Sequence, residues 1–116
     1  MLNRVVQQEA GALDAVFAAL ADPTRRAIVR RLADGRRASV SELAAPFDMS
    51  LTAVSKHLRV LSDAGLVDQR KEGRVRRCRL TAAPLRHAHD WLGDLESFWE
   101  GQLDSLAAHL GGPAED

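Results

Sequence analysis

The stretch from Val40 to Leu80 constrains the fold most, because it reads as helix, turn, helix and then a two-stranded basic ribbon. Ser39-Val40-Ser41-Glu42 matches a capping box, with Ser39 able to cap and Glu42 able to reach back to the chain before the helix. The short helix it opens carries Leu43, Ala44, Ala45 and Phe47 and stops near Pro46, since proline cannot continue a helix interior. Phe47-Asp48-Met49 supplies a tight turn and Ser50 a second N-cap. A longer helix then runs from Ser50 to Ala64, with Gly65 as its stop. At about 100° per residue, Leu51, Val54, Leu58 and Leu61 share one stripe. Thr52, Lys56 and Arg59 fall opposite, with Ser55 on the flank. One side of this helix anchors in a core, and the other offers the short hydroxyls and long cations that base edges and phosphates accept.

Two short runs follow, Leu66 to Lys71 and Arg74 to Leu80, around Glu72-Gly73. An X-Gly pair between such runs predicts a β-hairpin. With Glu72-Gly73 as the turn, Lys71 pairs with Arg74, Gln69 with Arg76 and Val67 with Cys78. Val67 and Cys78 then share one face at the base, while Arg70, Lys71, Arg74, Arg76 and Arg77 crowd the outer half. Like charges facing across a ribbon destabilise it unless an anion lies nearby, so the ribbon points to a polyanionic partner.

The charge distribution supports this. The net charge of the 116 residues is zero, yet residues 23–86 hold fifteen bases against six acids, a net of +9. Residues 1–22 are at −2 and residues 87–116 at −7. A basic middle between acidic ends suggests that the middle meets nucleic acid and the ends do not. One domain over residues 1–116 is expected from the length. A single cysteine, no apolar run long enough for a membrane span and no signal-peptide pattern predict a cytoplasmic protein with no membrane partner.

At the N-terminal end, Leu2, Val5, Val6, Leu13, Val16, Phe17 and Leu20 predict a helix with a frayed or bent start at Gly11. Asp22 caps a next helix with Pro23 in its first position. This helix is expected over Thr24–Asp34, with Ala27, Ile28 and Leu32 inward, Arg25, Arg26, Arg30 and Arg31 mostly outside, and Gly35 as stop. The arginines read as a solvated face, with a phosphate contact for Arg25 or Arg26 as the alternative. After the ribbon, Thr81 caps or precedes Pro84, and a helix of about 26 residues, about 39 Å, runs to Gly111-Gly112-Pro113. Its apolar stripe (Leu85, Ala88, Leu92, Leu95, Trp99, Leu106, Leu110) is widened by Trp91, Phe98 and Leu103. So long a helix with two tryptophans exceeds what a small core needs and implies a partner helix, most simply from a second copy.

The order of parts resembles the ArsR-type (arsenic-repressor-like) winged-helix regulators. The resemblance rests on Leu20-Ala21-Asp22-Pro23-Thr24-Arg25-Arg26, Ser41-Glu42-Leu43-Ala44, Val54-Ser55-Lys56-His57-Leu58, Leu61 to Val67 and the hairpin with Gly73-Arg74, and it covers roughly residues 13–110. It implies a mainly α fold with a small β-hairpin, a winged helix-turn-helix with the motif at about 40–64 and the wing at about 66–80. It also implies a homodimer packed through helices at about 2–20 and 84–110, repressing at a pseudo-palindromic operator. Leu13, Phe17, Trp91, Leu95, Phe98, Trp99 and Leu106 are the expected interface. Metal-sensing members often carry a cysteine pair just after the Glu-Leu, where this chain has Ala44-Ala45-Pro46. A second frequent site, on the last helix, needs ligands where this chain has Phe98, Trp99 and Glu100. No cofactor is expected, and the sequence names no effector.

The expected DNA-contacting set is Ser50, Thr52, Ser55, Lys56, Arg59, Arg74, Arg76 and Arg77. Thr52 and Ser55 would reach base edges, Lys56 guanine or phosphate, Arg59 phosphate, and Arg74 a minor groove with Arg76 and Arg77 on phosphates. His57 lies at the stripe border, as much a packing or backbone-bonding residue as a contact. Cys78 reads as a small packed hydrophobe, with a redox thiol between Arg77 and Arg79 as the alternative. His87 and His89 diverge on one helix, whereas His87 and His109 of two crossing chains could share a metal. No paired carboxylates, metal constellation or phosphate loop suggests an enzyme. A protein-interaction module built on the long helix is the remaining alternative.

Overall fold

Side-chain caps start the central helices. The computed structural model describes the backbone of residues 2–110 and the side chains of residues 10–110, as α1 (Leu2–Leu20), α2 (Pro23–Arg31), β1 (Ala38–Ser39), α3 (Val40–Ala44), α4 (Leu51–Asp63), β2 (Val67–Glu72), β3 (Val75–Leu80) and α5 (Ala83–His109). Asp22 Oδ2 accepts from the Arg25 backbone N–H at 3.0 Å, with Pro23 at the start of α2. The capping box forms in both directions: Glu42 N–H donates to Ser39 Oγ at 3.1 Å, and Ser39 N–H donates to Glu42 Oε1 at 2.8 Å. Ser50 Oγ accepts from Ala53 N–H at 3.1 Å and opens α4. Replacing Ser39 by Ala is expected to lower unfolding stability by about 1 kcal/mol in urea denaturation, the usual cost of a lost cap. An unchanged midpoint would show that the cap contributes nothing.

These starts aim one face of each helix inward. Ile28 and Leu32 from the α2 region, Leu43 from α3, and Val54, Leu58 and Leu61 from α4 are fully buried with Leu66 and Cys78. Leu51 departs from its expected stripe: at the first turn of α4 it is 54% exposed, beyond the reach of the core. Helix α2 ends at Arg31, short of the expected Asp34, and turns carry the chain to Gly35, whose φ of 85° suits glycine. Helix α3 ends at Ala44, before Ala45 and Phe47. Helix α1 runs unbroken through Gly11.

The ribbon is part of a three-stranded antiparallel sheet in the order β1-β3-β2, because Ala38 and Ser39 pair with Cys78 and Arg77. The hairpin register also differs from expectation. Gly73-Arg74 forms the turn, Glu72 pairs with Val75, Lys71 with Arg76, Gln69 with Cys78 and Val67 with Leu80. The reason lies in Gly73, which has φ 66° while Arg74 does not enter the left-handed region, the pattern of a turn with glycine first. Because the shift is two residues in pairing, face alternation is kept, and Val67 and Cys78 still point inward and are buried.

Helix α5 has 27 residues, about 40 Å. No side chain caps it: of the two expected roles, Thr81 precedes Pro84 without capping, and its backbone N–H donates to the Leu66 carbonyl at 2.8 Å. Ala88 is the one residue of α5 that is buried, and Phe17 of α1 meets Trp91 edge-on with ring centroids 5.9 Å apart. Beyond that contact, Leu95, Phe98, Trp99, Leu103 and Leu106 all stand exposed, Phe98 at 63% and Trp99 at 60%. The expected terminator Gly111-Gly112-Pro113 lies outside the described residues. Among the described residues, no helix is long and apolar enough to cross a membrane.

Candidate nucleic-acid interface

Burial of Val54, Leu58 and Leu61 turns the opposite side of α4 to solvent, and the hairpin rises beside it. Between them lies an open groove of about 440 Å³, lined by Thr52, Ser55, Lys56, Arg59 and Ser62 of α4, Gln69 of β2 and Arg76 of β3. Four of the expected helix contacts and one wing arginine thus share one concavity. Arg74 is exposed at the turn of the hairpin. Ser50 is committed through its hydroxyl to the α4 cap.

Gln69 was missed in the sequence, and it joins the two walls of the groove. Its Nε2 donates to Ser62 Oγ at 2.7 Å and toward the Leu58 carbonyl at 3.4 Å. The available signal was a polar residue between the inward Val67 and the exposed Lys71, facing a helix that carries a serine.

The two faces of the sheet differ in charge pairing. On the outer face, Arg77 Nε lies 3.1 Å from Glu72, Arg37 lies 3.4 Å from Glu72, and Arg70 lies 3.0 Å from Asp68. Arg77 also approaches Glu42 at 3.9 Å. Arg70 and Arg77 do face each other, but interleaved acids relieve the repulsion expected of the ribbon. Arg77 therefore reaches a phosphate only by leaving Glu72. Lys56, Arg59, Lys71, Arg74 and Arg76 have no carboxylate within 4.0 Å among the described residues. Lys71 and Arg76 face one another across the ribbon with that repulsion unrelieved.

The arginines of α2 have a different use. Arg25 donates from Nε to the Ala19 carbonyl at 2.7 Å and from its terminal nitrogen to the Ala18 carbonyl at 3.2 Å. Arg26 donates to the Leu20 carbonyl at 2.8 Å. Both occupy the open carbonyls at the end of α1, where a cation is favoured, rather than standing free for phosphate. The backbone hydrogen bond from Arg25 holds the Asp22 carboxyl below its ordinary range, and the bond from Ser39 does the same for Glu42. Both caps are thereby kept ionised.

Cys78 is 0% exposed, and burial pushes its thiol up, away from the reactive thiolate, with Arg76 opposing only in part. Cys78 is thus a packed hydrophobe, as its sequence position predicts. His87, His89 and His109 are all exposed on α5, with His89 3.6 Å from Asp90. No group of three or more His, Cys, Asp or Glu side chains gathers at metal-binding spacing among the described residues.

The same arrangement recurs in known proteins. Residues 20–70 match the model of a helix-turn-helix domain family. The chain is 42% identical over 103 residues to the HTH-type transcriptional regulator Rv2034 of Mycobacterium tuberculosis, spanning 89% of this chain and 92% of that protein. It is 36% identical over 94 residues to the arsenical resistance operon repressor of Escherichia coli, spanning 80% and 77% respectively. Among solved structures it is similar to that of an ArsR family transcriptional regulator, RHA00566, with a TM-score of 0.73 and 45% identity over 78% of this chain and 93% of that one.

Proposed function

The chain belongs to the ArsR family of winged helix-turn-helix transcriptional regulators, and from that premise we propose that it is a homodimeric repressor that reads a two-fold related DNA operator. In this reading α4 enters the major groove and the β2–β3 hairpin is the wing. The observation that carries it is the sorting of cations: those lining the α4–wing groove or its rim lack acidic partners, while most on the outer sheet face are matched. A cluster of unmatched cations costs stability when the protein is alone, and a phosphate backbone offsets that cost.

The roles follow from position. Thr52 and Ser55 contact base edges, Lys56 guanine or phosphate, Arg59 and Arg76 phosphates, and Arg74 the adjacent minor groove. Ser50 acts through the α4 N-terminus, whose free backbone N–H groups favour a phosphate. Arg77 is a reserve contact, held by Glu72 until DNA arrives. Phe98, Trp99, Leu95 and Leu106, continuous with Leu13, Phe17 and Trp91, pair two copies through α1 and α5. The protein binds rather than catalyses, and it works in the cytoplasm.

Selection of bound fragments from random duplex DNA tests the reading. Enriched sites are expected to contain two inverted half-sites with centres about one helical turn, roughly 34 Å, apart. Recovery of no enriched duplex would leave α5 as the functional surface and favour a protein-interaction module.

A further inference from the structure

His57 follows the proposed DNA contact Lys56 on α4 and borders the buried stripe, and it is turned inward, with its side chain 19% exposed. Its Nδ1 lies 3.3 Å from a terminal nitrogen of Arg25 and 3.8 Å from Asp22 Oδ2. The Asp22 carboxylate is too far for a hydrogen bond, so Arg25 is the direct partner. A guanidinium can only donate, so Nδ1 accepts and the ring proton of the neutral imidazole is on Nε2. Arg25 is itself fixed by the Ala18 and Ala19 carbonyls in the last turn of α1. Asp22 holds the backbone of Arg25 through the α2 cap.

One polar chain therefore runs from the end of α1, through Arg25, to the middle of α4. We propose that His57 is a positioning residue for DNA recognition, acting through Arg25 to set the angle of α4 against α1. This rests on the DNA-binding reading above and deepens it: α1 belongs to the proposed dimer core, so the link transfers the dimer's geometry to both reading helices. Apolar packing by Val54, Leu58 and Leu61 holds α4 down but is non-directional and tolerates small rotations. A charge-assisted hydrogen bond at position 57 resists rotation about the helix axis, which would swing Ser55, Lys56 and Arg59 off their targets.

Three replacements separate this role from direct base reading. Asparagine places an amide where Nδ1 stands and can still accept from Arg25, whereas glutamine places its amide nearer Nε2. Affinity for the selected operator and for unrelated duplex is measured by anisotropy, with sedimentation recording the dimer. His57→Ala and His57→Gln are expected to weaken operator affinity about tenfold, the scale of one hydrogen bond to a charged group, while leaving unrelated-duplex affinity unchanged. His57→Asn is expected to stay close to the wild type. If His57→Ala does not fold, the contrast between the Asn and Gln variants still decides. Retention by Gln with loss in Asn would overturn the proposal in favour of a direct Nε2 contact. Equal operator affinity in all variants would overturn it while leaving the DNA-binding reading intact, and a wild type that binds no duplex would overturn both.

Discussion

Replacing Lys56 and Arg74 together by alanine is expected to lower operator affinity by about a thousandfold or more, with the chain still folded and dimeric. Lys56 stands on the groove wall and Arg74 at the wing turn, both exposed and without carboxylate partners among the described residues. Neither supports the core, so thermal stability should change by no more than about 0.5 kcal/mol. A large effect is expected because each substitution occurs twice in a dimer and, in the proposed arrangement, the two side chains serve different grooves. Losing one contact at about 1–3 kcal/mol leaves the other to hold a protomer in place, and losing both does not. Anisotropy titration against the selected operator measures it, and a change of less than about threefold would remove both residues from the interface.

Phe98→Asp together with Trp99→Asp should convert the dimer to folded monomers and abolish tight operator binding with it. Both rings are more than half exposed in the protomer, so their loss leaves the core of Ile28, Leu43, Leu58 and Leu61 untouched. In a dimer four such rings would be withdrawn from water, worth roughly 6 kcal/mol or more by the usual value per buried aromatic side chain. Two carboxylates per protomer placed in that seam add a desolvation cost. Sedimentation equilibrium reads the assembly state and circular dichroism the fold. A variant that stays dimeric would move the interface off this stretch of α5.

How legible these features were depends on how local their causes are. The caps at Asp22, Ser39 and Ser50 could be read directly, since each is a short-range match between one side chain and a backbone group within three residues. The buried stripe of α4 was legible from helical spacing, except at Leu51, where the core simply ends before the first turn. The hairpin was legible as a hairpin, but its register depended on which side of Gly73 the turn would close. Strand β1 was missed because two residues carry no periodicity, and their pairing with Cys78 and Arg77 spans almost forty residues of sequence.

The site shows the same division. Helical spacing picked out Thr52, Ser55, Lys56 and Arg59, and the clustered charge of the hairpin picked out Arg76; all five line the groove. Charge alone could not tell which arginines were already engaged. Arg77 found Glu72, five residues earlier across the turn, and Arg25 found the end of α1 and His57, thirty-two residues away. Gln69, neutral and unremarkable in sequence, gains its place only when the hairpin folds against α4.

The central claim is that unmatched positive charge between α4 and the wing is there to meet a DNA backbone. Its most direct measurement is operator affinity against salt concentration. Affinity should fall by about a thousandfold or more between 50 and 200 mM salt, as for roughly 6–10 neutralised phosphates, and the slope should flatten when Arg59 and Arg76 are replaced by alanine. A salt-independent affinity, or a slope unchanged by those replacements, would contradict the assignment of this groove to DNA.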